Sequence, residues 1–238
     1  MKTIARNELN KKSEKGYPPF NKKITVRKIV KEIPGERIDQ DLEKYRSMAM
    51  NMGALSATII SSDEIIIDER VRAKCMYPKC DYYGKSINCP PYAPDLDLVR
   101  KIIKKYHHAI LFCVKDDTGV FFGSSFRSRV GRKIPSKMIL NTICAEIESR
   151  SFYDGYQFSL AFGQGPCKSF WCKNQPCAAL HPGKGCRFAL KARSSMEAVG
   201  MDVFSMAANQ GWEIYPCGER VKEKDIPHVL LVGLVLIW

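Results

Sequence analysis

Apolar residues recur along the chain with two alternating periods. From Asp39 onward Leu42, Tyr45, Ala49 and Met52 follow at steps of three to four residues, which predicts a helix stopped by Gly53. The runs SATII and EIIID flank Ser61-Ser62-Asp63, a pattern that predicts a hairpin. Pro94-Asp95 then precedes one apolar face of Leu96, Val99, Ile102, Ile103 and Tyr106, with acids in the first turn and Lys104-Lys105 in the last. That charge order suits the helix dipole. HAILFCVK reads as a buried strand, PSKMILNTICAEIESRSF as a helix, and YQFSLAF as a further strand. Two short helical pieces, Phe188–Val199 and Asp202–Gln210, each end at a glycine, and HVLLVGLVLIW closes the pattern as a strand. Strands and helices alternate, so the expected fold class is α/β: a mixed β-sheet flanked by helices, with cysteine-rich loops.

Composition adds a compartment and an asymmetry of charge. The 238 residues are 45% hydrophobic, enough for a sizeable core without staples. No apolar run reaches 18 residues, so no membrane span is expected, and the basic N-terminus lacks the apolar stretch of a signal peptide. The expected location is the cytoplasm, where disulfides are disfavoured and clustered cysteines more often bind metal or react. Net charge is +13, of which residues 1–31 carry +8. The expected organisation is a flexible basic arm over 1–31 and a single α/β domain over 32–238, with two cysteine loops at 75–94 and 163–187. The arm reads as a solvated extension. Nucleic acid is the partner its charge would suit, but few aromatics interleave its basic residues, so that reading is not favoured. The basic stretch 124–137 reads in the same way, as a solvated loop that could also hold a phosphate or carboxylate.

Seven cysteines change the picture. The first group is Cys75-x4-Cys80-x8-Cys89; the second is Cys167-x4-Cys172-x4-Cys177-x8-Cys186. The two differ in spacing and are not read as copies. Glycines 163, 165, 183 and 185 let the second loop curl, while Pro166 and Pro176 restrain it. Structural zinc favours two tight pairs of cysteines, whereas iron–sulfur clusters accept wider, staggered spacing. The expected cofactor is therefore one or two iron–sulfur clusters, of the 4Fe–4S type, with zinc as the alternative. Three thiols in the first group leave a position that is open, filled by Cys217 from afar, or shared with the second group. Cys113 and Cys144 lie on apolar positions and read as packing. His181, between Cys177 and Cys186, is not taken as a ligand, and His107, His108 and His228 show no partner. Glu197 and Asp202 flank Gly200 as turn and cap residues with a possible role in handling protons. Phosphate-binding G-x4-G-K-[ST], G-x-S-x-G and H-E-x-x-H motifs are absent from the sequence.

KCMYPKCDYYGKSINCPPYAPDLDLVRKIIKKYHHAIL, the run from GPC to CR, ARSSMEAVGMDVF, GW and GLVLI together resemble an uncharacterised prokaryotic family. Its members are described as cysteine-rich predicted metal-binding proteins, common in anaerobes and methanogens. The resemblance covers residues 40–238. It implies metal or iron–sulfur binding through Cys75, Cys80 and Cys89, then Cys167, Cys172, Cys177 and Cys186. The second group is more widely spaced here than the family's pattern, which is nearer C-x2-C-x2-C.

The function expected from all this is an iron–sulfur protein that transfers electrons, with a redox partner protein, or activates a substrate at a cluster. As an enzyme it would run redox or sulfur chemistry, with the three-cysteine loop as its active centre. The alternatives are a zinc-stabilised nucleic-acid or protein-binding module and a thiol-based carrier of sulfur or metal.

Overall fold

The computed structural model describes residues 25–116, 121–122, 135–173 and 175–238. Most of the basic arm and most of the stretch 124–137 lie outside these residues. Four strands form one sheet in the order β1-β2-β4-β3: β1 Ser56–Ser61, β2 His108–Asp116, β3 Leu160–Phe162 and β4 Val229–Leu236. The class is α/β, as expected. The sheet is antiparallel, not mixed as expected: its three ladders are antiparallel, and the parallel pairing is an isolated bridge between Gly163 and Ser195 outside the strands.

The central strands β2 and β4 are apolar at nearly every position because both faces of the sheet are covered. Ile110, Phe112 and Val114 of β2, with Leu231 and Val235 of β4, face one core. That core is closed by helices α1 (Gly35–Asn51) and α4 (Pro135–Tyr153) through Leu42, Tyr45, Leu140, Ile143 and Ile147. Leu111 and Cys113, with Val232, Leu234 and Leu236, face a second core built from Val99, Ile103, Met196, Met201 and Met206. The chain segments that cover this second face also carry the cysteine loops. They include helices α2 (Glu69–Ala73), α3 (Leu96–Ile103), α5 (Cys167–Phe170) and α6 (Val203–Asn209). No helix among the described residues is long and apolar enough to cross a membrane.

The expected hairpin at 56–68 does not form. Ser61 and Glu64 make a reciprocal capping box around a 3-10 turn at Ser62–Glu64, which turns the chain off the sheet. β1 pairs with β2 instead, Ser56 opposite Cys113 through Ser61 opposite His108. Ile65 enters the second core, and Ile67 bridges to Met201. The expected helix at 188–199 is also replaced, by turns and a 3-10 segment at Glu197–Val199. There the backbone at 194–196 is needed elsewhere: Gly163 N–H donates to Ser194 O, and Met196 N–H donates to Gly163 O, both at 3.0 Å. The helices over 96–103, 135–153 and 203–209 and the last strand lie where the pattern places them.

Two buried carboxylates tie α1 to the end of α4. Asp41 accepts from Tyr156 Oη at 3.0 Å and from Arg27 Nη1 at 2.5 Å. Asp154 accepts from Tyr45 Oη at 2.9 Å and pairs with Lys44 and Arg150. Arg27 N–H also donates to Tyr153 O, so the chain is bonded to α4 from that residue.

Candidate metal centre

The first cysteine loop hangs between two capped helices. Asp68 caps α2 by accepting from Arg70 N–H, and Asp95 caps α3 by accepting from Leu98 N–H at 2.8 Å. Arg72 closes the neck by donating to the carbonyls of Pro94 and Ala93. Inside, the backbone folds by successive turns: Cys80 N–H donates to Cys75 O, Cys89 N–H to Ser86 O, and Gly84 N–H to Pro90 O. Gly84 has φ +72°, where a side chain would strain the turn.

The second loop leaves β3 at Gly163. Asn141 of α4 holds its start by donating from Nδ2 to Gln164 O at 3.1 Å and to Lys137 O at 2.8 Å. Cys167 opens the one-turn helix α5. The chain then crosses Cys172, Cys177 and Cys186 in turns, with Arg187 donating to Pro176 O at 2.7 Å across the loop. Trp171 stacks on Phe188, ring centroids 6.0 Å apart, which pins the two ends of the loop together.

The loops meet. Ser86 Oγ lies 3.3 Å from Cys167 Sγ, and Asn88 Nδ2 donates to the same sulfur at 3.4 Å. Ser86 and Asn88 belong to the first loop, 81 and 79 residues earlier in the chain. This seam is buried: Cys89 is 7% exposed and Cys167 5%. In the second loop, Phe188 N–H donates to Cys186 Sγ at 3.4 Å.

These contacts set the thiol chemistry. Burial pushes the Cys89 thiol up to about 12, with the charges of Cys167, Cys80 and Cys75 adding to the rise and the Ser86 hydroxyl opposing it. Burial also raises Cys167, against hydrogen bonds from Ser86 and Asn88. Cys75 is raised by burial, then by Cys80 and Glu197. Cys172 is raised by burial and by Cys167, while Arg187 opposes the rise. A buried group of mutually repelling thiolates is unfavourable without a cation among them, and a thiophilic metal supplies that charge. The donors on Cys167 and Cys186 are of the kind that tunes metal-bound sulfur.

The seven thiols are spread over two loops that touch at Cys167, and Cys75, Cys80, Cys89, Cys167, Cys172, Cys177 and Cys186 carry no disulfide. Among the described residues no three Cys, His, Asp or Glu side chains converge closely enough to hold a single metal ion. The donor set fits a thiophilic centre. The two groups are also more alike than their overall spacing suggests. Cys172-x4-Cys177-x8-Cys186 repeats the spacing of Cys75-x4-Cys80-x8-Cys89, and Cys167 is the additional thiol.

Beside the first loop lies a cavity of about 350 Å³. Cys75, Cys80 and Cys217 line it, together with Gln164, Glu197 and Asp202. Cys217 thus reaches the cavity wall next to the first loop while also packing against the helix-side core. Asp202 caps α6 by accepting from Ser205 N–H at 3.1 Å, and Asp202 N–H donates to Ile66 O, so the cap residue is fixed to the segment that leads into α2. Gln164 Oε1 is buried with no hydrogen-bond partner among the described residues. No motif pointed to Gln164, Ser86 or Asn88, and only the meeting of the two loops singles them out.

The remaining candidates separate cleanly. Cys113 and Cys144 are buried in the two cores, and burial raises both thiols, Cys113 to about 11. His228 Nε2 lies 2.9 Å from Glu213 O, and His181 is exposed after the 178–180 turn. Searches of curated proteins and of solved structures returned no match. Residues 58–237, which contain both cysteine loops, match the family model described as "Predicted metal-binding protein (DUF2284)", and the chain belongs to that family.

Proposed function

We propose that the two cysteine loops hold one or two iron–sulfur clusters of the 4Fe–4S type, and that the chain transfers electrons or activates a substrate beside the first loop. The observation that carries this reading is the buried seam at Cys89 and Cys167, where a hydroxyl and an amide of the first loop meet the Cys167 thiol of the second. A zinc ion needs its sulfurs at about 2.3 Å from one point. Thiols spread over two touching loops, with no three among the described residues converging on one point, suit a larger polynuclear centre better. A bound cluster would supply one-electron redox chemistry at a potential tuned by burial and by hydrogen bonds to sulfur.

The protein's own residues give that chemistry a place to act. The cavity at Cys75 and Cys80 is large enough for a small molecule, and its apolar wall is interrupted by Glu197, Asp202 and Gln164. Glu197 stands close enough to Cys75 for its charge to raise that thiol, so it is positioned to take or give a proton beside the centre. Gln164 Oε1 offers an acceptor to a donor group on the bound molecule. The test is redox bleaching. Protein purified without oxygen should show a broad visible absorption that dithionite bleaches and air restores. A colourless protein, unchanged by dithionite, would refute the cluster and leave zinc or a thiol carrier.

A further inference from the structure

We infer that Cys167, although it stands in the second loop, completes the centre of the first loop as a fourth thiolate with Cys75, Cys80 and Cys89. Cys172, Cys177 and Cys186 then form a separate set of three. This rests on the reading of the loops as metal or cluster sites and goes beyond it by dividing the ligands.

Two independent observations support the division. The first is spacing. With Cys167 set aside, each loop contributes the same C-x4-C-x8-C unit. Equal spacing in two turn-rich loops describes two equivalent three-point hooks, and Cys167 is the residue left over.

The second is contact. Cys167 Sγ is hydrogen-bonded to Ser86 Oγ and accepts from Asn88 Nδ2, residues that lie three and one before Cys89. In the second loop the sulfur-directed backbone bond goes to Cys186 instead, from Phe188 N–H. Cys89 and Cys167, on either side of the contact between the loops, are the two buried thiols of the seven, while Cys75, Cys172, Cys177 and Cys186 are partly exposed and Cys80 is exposed. On ligation each thiol releases its proton to solvent, so four such groups replace mutual repulsion by bonds to a shared cation centre.

The division changes which loop is short of a ligand. The first loop gains a fourth thiolate from Cys167, and Cys217 is left as a wall of the cavity. The second loop is then the one with three cysteines.

The test uses the full chain purified without oxygen, with iron, zinc and sulfide counted and electron paramagnetic resonance spectra taken after dithionite reduction. Cys89→Ala and Cys167→Ala should lose the same share of metal and the same signal. The double variant should lose no more than either alone. Cys186→Ala should keep that signal. Ser86→Ala and Asn88→Ala keep every thiol, which guards against loss by misfolding. Each should shift the reduction potential of the signal lost in Cys89→Ala and leave any Cys186-dependent signal in place.

The inference is overturned if Cys167→Ala loses the signal that Cys186→Ala loses and keeps the one that depends on Cys89. Loss of one common signal in all three single variants would also overturn it, because both loops would then share a single centre. Cys217→Ala matching Cys89→Ala while Cys167→Ala does not would give the fourth place to Cys217. Zinc in place of iron defeats the cluster reading alone, since Cys89→Ala and Cys167→Ala must still lose the same zinc. Metal-free wild-type protein defeats both.

Discussion

Gly163 is the point where fold and metal loop depend on one atom's absence. A Cβ built there would stand 2.0 Å from Asn141 Oδ1 and 3.0 Å from its Cγ. Asn141 is 4% exposed and cannot swing aside without giving up its bonds to Lys137 O and Gln164 O. Overpacking of this kind costs about 1–3 kcal/mol. Loss of the two amide bonds adds about 1 kcal/mol each. Gly163 does not sit at positive φ, so alanine would otherwise help by about 0.4–1 kcal/mol through the unfolded chain. The net expectation for Gly163→Ala is a loss of about 3 kcal/mol, or roughly 6–12 °C in Tm for a chain of this size. Because Gly163 also bonds Ser194 and Met196, the start of the second loop and the chain after it move together, and metal content should fall as well. The assay is urea unfolding of the chelated, reduced protein followed by circular dichroism, with metal analysis of the unchelated protein. Adding Asn141→Ala removes the obstructing atoms, so the double variant should be more stable than additivity predicts by at least about 1 kcal/mol. A Gly163→Ala protein as stable as wild type, or a strictly additive double variant, would refute the reasoning.

Gly233→Ala makes the contrasting case. Its Cβ would meet Phe112 Cζ at 2.8 Å and Cys144 Sγ at 3.1 Å in the helix-side core, so Tm should fall by the equivalent of about 1–3 kcal/mol while metal content per folded protein stays at the wild-type value. Asp154→Ala leaves Lys44 and Arg150 without their buried partner and should cost about 3–5 kcal/mol in urea unfolding. Burial pushes the Asp154 carboxyl up, but the hydrogen bonds of Lys44 and Tyr45 outweigh it and hold the group below the ordinary carboxylate range. Its contribution is therefore complete above about pH 4 and lost as pH falls through the depressed value, so an Asp154→Asn protein should lose less stability than wild type across that acid range. Arg72→Ala removes the donor that closes the first loop at Ala93 and Pro94, and tryptic cleavage after Lys79 or Lys85 should accelerate in the metal-free protein. Equal cleavage rates would show that the neck does not depend on Arg72.

The long periodic helices and the central strands were legible because their patterns meet one partner each. Leu42, Tyr45 and Ala49 need a single apolar face, and they find it. The run EIIID was misleading because its isoleucines satisfy a strand pattern equally well when buried in a core. A capping box of Ser61 and Glu64 decides the matter, and its S-x-x-E signature stands in the sequence. The stretch 188–199 scans as helix, yet Gly163 requires its backbone groups at 194–196. The cysteines themselves were plain in the sequence. Their mutual arrangement was not, because Ser86, Asn88 and Gln164 carry no motif and gain meaning only where two loops far apart in sequence touch.

The central claim is that these loops hold iron and sulfide, and metal analysis of protein purified without oxygen tests it most directly. The account predicts iron and acid-labile sulfide in equal amounts, both reduced in the same proportion on Cys89→Ser. Zinc bound by the same cysteines with no sulfide, or no metal at all, would contradict it.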